Sequence, residues 1–205
     1  MKTIKNTKSK RLATFIIGLI VLGIGISFNN KSLFGCNPMS IFVVGLSKHL
    51  PISMGTCNLI VALTEMIVGY ILAKENVSYT TIIGVFGVSY AIDLGNFLIP
   101  DSNNLYIRIL YMLIGVLLYC LAFAIQQVAK CGYSHYDTFV FGLAKRFKIE
   151  KYHSIRWCTD TLFLVSGFVL GAEVGVGTVI LLVFSGVLIE RFKHLIEKYF
   201  NKYVL

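Results

Sequence analysis

The sequence predicts an all-α polytopic membrane protein of about six transmembrane helices, arranged as two inverted three-helix repeats that each carry a short interfacial or re-entrant helix. Three observations predict it. Of 205 residues, 56% are hydrophobic and 14% charged, with a mean hydropathy of +0.75, whereas soluble domains carry roughly 25% charged residues. Apolar runs recur at about the length needed to cross a bilayer. Finally, residues 35–52, GCNPMSIFVVGLSKHLPI, return 97 positions later as GYSHYDTFVFGLAKRFKI at residues 132–149. Without a gap, Gly35, Phe42, Val43, Gly45, Leu46, Lys48 and Ile52 fall on Gly132, Phe139, Val140, Gly142, Leu143, Lys145 and Ile149. Self-similarity at a fixed offset is the mark of a duplicated architecture.

A hydrocarbon core about 30 Å thick needs about 20 apolar residues per helix at 1.5 Å rise. Residues 13–28 form the first span. Basic residues Lys2 to Arg11 before it imitate a secretory signal, but the run reaches Asn29 and Asn30 without a small-x-small cleavage site, so it reads as uncleaved. Residues 38–50 come next and, at about 20 Å as a helix, are too short to span. Pro38 suits a first helical turn. Two readings stay open for this segment and its copy at 135–147: an amphipathic helix flat on the interface, or a half-helix dipping toward the midplane with its polar N-terminus aimed at a cavity. Gly45 and Gly142 would allow close helix packing in either case. Further spans follow at 53–73, 80–99 and 106–128, then shorter ones at 157–170 and 176–189, separated by a glycine-rich turn that holds Glu173. A single re-entrant hairpin over 157–189 is the alternative for that pair. Residues 13–100 thus form repeat 1 and 106–191 repeat 2, with cytoplasmic tails at 1–12 and 192–205.

Charge sets the orientation. With both termini inside, sixteen of the 19 Lys and Arg residues lie on the cytoplasmic side and only Lys31, Lys48 and Arg108 outside, as the positive-inside rule requires. That asymmetry accounts for the net charge of +9 without a nucleic-acid partner, and anionic inner-leaflet lipid is the expected one. Three spans per repeat force the second copy to enter the membrane from the opposite face.

Ionisable groups within spans are expensive and mark candidate sites. Glu65 falls mid-span, and Asp160 and Asp93 lie nearer span ends. Under the repeat, Glu65 and Asp160 come at almost equivalent depth, with Asn58, Thr64 and Thr161 adding polar surface. They are candidates for a proton or cation pathway facing a central cavity; an Asp160–Arg156 ion pair one turn apart is the structural alternative. Thr81 and Thr178 open the third span of each repeat, where capping or anion binding by free N–H groups are the two readings. Catalysis has no support: His49, His135, His153 and His194 fall in loops or at interfaces and show no HExxH spacing. Cys36, Cys57, Cys120, Cys131 and Cys158 show no CxxC spacing, so free thiols are expected, with no metal and no cofactor. Cys36 and Cys131 are expected to label from opposite faces.

The combination of Gly35-Cys-Asn-Pro38, Gly45-Leu46, Gly132 with Asp137, Arg156 and Gly175-Val-Gly-Thr178 resembles the YczE/YyaS/YitT family of bacterial integral membrane proteins, from residue 13 to about 190. Two positions depart from the family pattern. Ser40 stands where the family tends to place Asp after its Pro, and His135 replaces the proline of the second copy while Asp137 is kept. Asn37, Pro38, Ser40, His135, Asp137 and Arg156 therefore join the candidate residues. The resemblance implies a multi-pass protein of the bacterial cell membrane. A small transporter or permease for an unknown solute or ion, with a midplane site, is the leading expectation. The alternative is an accessory or regulatory protein acting through its basic cytoplasmic loop and C-terminal tail.

Overall fold

The computed structural model describes residues 2–132, 134–149 and 152–204, and every regular element among them is helical. In chain order they are α1 (Lys2–Ser32), α2 (Pro38–Ser47), α3 (Met54–Ala73) with a 3-10 turn at Lys74–Asn76, α4 (Tyr79–Leu98), α5 (Leu105–Ala129), α6 (His135–Phe147), α7 (Tyr152–Val169) and α8 (Val176–Val204). Among the described residues, four stretches, Lys8–Ser32, Met54–Asn76, Tyr79–Leu98 and Leu105–Ala129, are long and apolar enough to cross a membrane. Among the described residues, Val176–Ser185 at the start of α8 is apolar but shorter, and Arg156 and Asp160 interrupt the apolar run of α7. The segments expected as tails continue as helix in α1 and α8. Among the described residues, α7 packs on α2 and α8 packs on α5, rather than the two forming a closed hairpin.

Local sequence explains the starts. The Asn37 side chain accepts the Ser40 N–H at 3.0 Å, and Pro38 at the first helical position loses no hydrogen bond there. Ser134 repeats the cap on Asp137 N–H at 3.1 Å, and Ser53 on Thr56 N–H at 3.0 Å. The Ser78 N–H donates to Thr81 Oγ1 at 3.2 Å, so Thr81 closes the first turn of α4, the capping role of the two expected.

Packing follows a recurring pattern. α1 lies on α4 as α5 lies on α8, and α2 lies on α7 as α3 lies on α6. α1 and α5 cross at the centre and run antiparallel: Gly18 sits against Gln126, Gly25 against Tyr119 and Gly115 against Asn29, with Phe28 edge-on to Tyr111. α1 and α4 run parallel, with Leu19 by Gly87, Gly23 by Ala91 and Gly95 by Ser27. Ser27 Oγ donates to Ile92 O at 2.9 Å, stitching the buried seam with a bond whose alternative in hydrocarbon is an unsatisfied hydroxyl.

The two short helices do not lie across helix ends. α2 runs parallel to α7, with Phe42 against Phe163, Gly45 against Gly167 and Lys48 Nζ donating to Gly171 O at 2.7 Å. α6 runs parallel to α3, from His135 beside Glu65 through Gly142 against Gly69 and Leu72 to Lys145 on Glu75 at 2.6 Å. Each therefore starts part-way along its partner and finishes at the partner's C-terminal end, where a lysine meets the negative pole of the helix dipole. The flat interfacial reading is not what packing selects, because glycine faces let these backbones run in contact lengthwise. A β-carbon on Gly167 would come within 2.6 Å of the Ile41 carbonyl, whereas one on Gly84 meets Leu19 at an ordinary 3.7 Å. Gly167→Ala is therefore expected to lower the thermal midpoint in detergent by several degrees, and Gly84→Ala, which raises helix propensity by about 0.5–1 kcal/mol, to raise it slightly; equal responses would contradict this packing.

Candidate functional site

A cavity of about 780 Å³ lies where the N-termini of α2 and α6 converge. Its polar lining includes Asn37 and Ser40 from α2, Asn58 from α3, Thr80 and Thr81 from α4, Gln126 and Gln127 from α5, and Ser134, His135 and Asp137 at the start of α6. Arg156, Asp160 and Thr161 line it from α7. Phe15, Leu19, Leu22 and Ile26 of α1 form an apolar wall. Pro38 also lines it, beside Asn37.

At the charged end, Arg156 links two carboxylates. Its Nη1 lies 3.3 Å from Asp137 Oδ1 and its Nε 3.9 Å from Asp160 Oδ2, one helical turn on. The guanidinium sits 5.4 Å from the Tyr136 ring centroid, and the Tyr136 hydroxyl donates to Asp160 and meets Thr159 Oγ1 at 2.9 Å. The expected Asp160–Arg156 pair is present, but the nearer partner is Asp137, contributed by another helix. Ser134 Oγ donates to Asp137 Oδ2 at 2.9 Å, which fixes this carboxylate over the first turn of α6, the end of a helix that favours negative charge.

Glu65 stands behind this cluster. It is 3% exposed, and neither carboxylate oxygen has a hydrogen-bond partner. His135 Nε2, likewise without one, lies 3.6 Å from Glu65 Oε2. Glu65 and Asp160 thus flank the start of α6 from α3 and α7, and only Asp160 lines the cavity directly. His135 corrects the expectation that the histidines lie at loops or interfaces: it is 9% exposed, because α6 begins beside the middle of α3. His49 does sit at a helix end, 3.0 Å from Leu170 O. The His153 side chain lies outside the described residues.

Several candidates have other work. Asp93 accepts the Ser53 hydroxyl at 2.6 Å and the Gly55 N–H at 2.8 Å, so it neutralises the N-terminus of α3, away from the cavity. Thr64 is exposed and bonds back to Ile60 O of its own helix at 2.8 Å; it faces away because residue 65 claims the inward face. Thr178 is buried and its hydroxyl is without a hydrogen bond. A β-carbon on Gly35 would strike Thr178 and the Gly175 nitrogen, and one on Gly132 would strike Ser78 and Thr80. α4 and α8 begin 97 positions apart, at Tyr79 and Val176, and the Thr81 N–H donates to Ser78 O at 3.0 Å as the Thr178 N–H does to Gly175 O at 3.0 Å, so Thr81 and Thr178 keep the offset. Glu190 lines the cavity with Lys193 from α8. Tyr136 is the functional-site residue that sequence reasoning missed, although it lies inside the repeated segment.

The cysteines are free. Cys36 is 4% exposed, and burial, with the Glu173 charge adding to it, pushes its thiol up to about 12. A buried thiol held in its protonated form is a poor nucleophile, so maleimide is expected to leave Cys36 unlabelled from either face. Rapid labelling in mass spectra of intact protein would contradict the burial. The idea that Cys36 and Cys131 report opposite faces therefore fails for Cys36.

No solved structure matches the chain. It is 26% identical over 190 residues to the Uncharacterized protein YyaS of Bacillus subtilis, covering 90% of this chain and 92% of that protein. It is 23% identical over 189 residues to an Uncharacterized protein of Haemophilus influenzae, covering 92% and 86%. Both likenesses run through the helices that build the cavity, in keeping with the YczE/YyaS/YitT resemblance. Residues 9–194 match a single family profile, so the chain belongs to the Family of unknown function (DUF6198).

Proposed function

We propose that this protein is a small secondary transporter of the bacterial cell membrane, built from two inverted three-span repeats with both termini cytoplasmic. The observation that carries the reading is the convergence of two half-helix N-termini, at Asn37 and Ser134, on one cavity of about 780 Å³. Discontinuous helices in corresponding places of two halves, meeting at a shared site, are the arrangement through which transporters of inverted repeats bind their cargo. The antiparallel crossing of α1 and α5 supports it, as does the way each α1–α4 and α2–α7 contact has a counterpart in α5–α8 and α3–α6. In this reading α7 and α8 supply the fifth and sixth spans, and their charged residues face the cavity or the cytoplasmic end. Anionic lipid contacts the basic inner surface. The protein moves its substrate without covalent chemistry.

Topology is the direct test. In a background without other cysteines, Lys48→Cys and Lys145→Cys, both at exposed positions, should react with an impermeant maleimide from opposite sides of intact cells. Reaction from one side removes the inverted arrangement and the transport reading with it. If the sides differ, reconstitution in liposomes and an uptake screen across ions, amino acids, cofactors and amphiphiles identifies the cargo.

A further inference from the structure

The two halves match in most of their packing but differ at one seam, and that seam is where the cavity opens. In the first half α3 and α4 close on each other: Asn58 Nδ2 donates to Ser89 Oγ at 3.0 Å, and Gly55 lies against Ser89 and Asp93. Among the described residues, α7 and α8 make no such seam. Trp157, Thr161 and Leu164 on one and Leu182, Ser185 and Ile189 on the other line the cavity from its two sides. Trp157 is 76% exposed and Leu182 50%, so both sit at a mouth rather than inside. The outward residues beside that mouth, Val165 and Phe168 on α7 and Val179 and Val183 on α8, are exposed and apolar, as surfaces that meet hydrocarbon are. Apolar surface thus flanks the mouth along both helices, while Glu190 and Lys193 line the cavity further along α8.

The interior is divided in the same sense. Phe15, Leu19, Leu22, Val88, Tyr119 and Phe123 make one wall. Opposite them stand the Asp137–Arg156–Asp160 cluster and the two helix N-termini, each equivalent to roughly half a positive charge. Asp137, Asp160 and Glu190 against Arg156, Lys193 and two such ends nearly cancel, so the polar lining favours a head group bearing both signs over a net ion.

Resting on the transport reading above, we propose that the cavity takes a single-chain zwitterionic amphiphile from the bilayer through the gap between α7 and α8. Its chain lies along the apolar wall of α1, and its head group sits at the start of α6. The cationic part of the head meets Asp160 and Asp137, and the anionic part meets Arg156 and the open N–H groups of the two helix ends. A soluble zwitterion such as an amino acid would satisfy the polar wall but leave the apolar wall and the apolar-flanked mouth without a role.

The probe is lysophosphatidylcholine with a diazirine on its acyl chain, added to the full-length protein in nanodiscs of diacyl phosphatidylglycerol, with adducts located by mass spectrometry. Saturable adducts are expected on the peptides holding Leu19, Leu22 and Phe123. Unlabelled lysophosphatidylcholine should displace them, while lysophosphatidylglycerol and dodecanol should not. Two variants narrow the site: Gly84→Leu, where a β-carbon has room against Leu19, and Thr161→Trp at the exposed edge of the mouth. Each should reduce the cavity adducts by about tenfold, equivalent to 1.4 kcal/mol of binding, and leave adducts on outward Ile67 and Phe97 unchanged. The inference is overturned if adducts form only on such outward residues, if all three competitors act alike, if an amino acid competes as well as the unlabelled amphiphile, or if neither variant has an effect. Transbilayer movement of a fluorescent lysophosphatidylcholine in liposomes is read separately. Saturable cavity labelling without movement upholds this inference while removing the transport reading, and uptake of a soluble solute without cavity labelling does the reverse.

Discussion

On the transport function proposed above, Glu65→Gln should reduce uptake by about tenfold or more, which corresponds to at least 1.4 kcal/mol of lost coupling, and should leave the thermal stability of the detergent-solubilised protein nearly unchanged. The argument rests on what Glu65 lacks. Its carboxylate is 3% exposed and accepts no hydrogen bond, and its nearest titratable neighbour, His135 Nε2, stands at 3.6 Å. An ionised carboxylate so buried and so poorly partnered would destabilise the fold by several kcal/mol, so removing the charge costs the fold little. In the proposed function, a group that contributes little to stability yet sits beside the start of α6, between the cavity and the centre of α3, would take up and release a proton or a cation. A structural role predicts the opposite pattern: a thermal midpoint lower by many degrees and unchanged uptake per folded molecule. His135→Gln with and without Glu65→Gln completes a double-mutant cycle, and a coupling energy above about 0.5 kcal/mol would tie the two residues to one event.

Gly35→Ala should be among the most damaging single-methyl changes in the chain, and Gly171→Ala supplies the measure of why. Both glycines have positive φ, +93° and +81°, a region that costs an L-residue roughly 1–2 kcal/mol. A methyl group on Gly171 meets nothing within 4 Å, whereas one on Gly35 would come within 2.2 Å of Thr178 Oγ1 and 2.8 Å of the Gly175 backbone nitrogen. Gly171→Ala therefore isolates the backbone strain, about 2–4 °C in the thermal midpoint for each kcal/mol in a chain of this size. Gly35→Ala adds a clash with the backbone that opens α8, and should exceed it severalfold. Adding Thr178→Ala should restore part of the loss and not all, because the contact with the Gly175 nitrogen remains. Equal losses from Gly35→Ala and Gly171→Ala, measured by fluorescence-detected thermal unfolding, would show that the chain entering α2 does not pack against the start of α8.

Some of this was readable before any coordinates. Hydropathy and length mark the long helices, because a span is a local property: about 20 consecutive residues carry the whole signal. Caps such as Asn37 with Pro38, and Ser134 with Asp137, are equally local, since the hydrogen bonds they make close within three residues. The 97-residue offset marks the short helices as a pair, and it still holds at the starts of α4 and α8, where Tyr79 and Val176 open the two helices.

The amino-acid sequence by itself determined the helical, membrane-type character of this chain, the position of most of its helices and the likeness of residues 35–52 to 132–149, since each is written in short-range composition and spacing. Only the tertiary structure decided which charges meet. It put Asp137 of α6 on Arg156 of α7, brought His135 to Glu65, turned Asp93 into a cap for α3 and left a gap between α7 and α8 while α3 and α4 closed. Those outcomes depend on backbones approaching at glycines such as Gly45, Gly69 and Gly167, between segments far apart in the chain. Contact at that range is set by how whole helix faces fit, and no local run of residues encodes it.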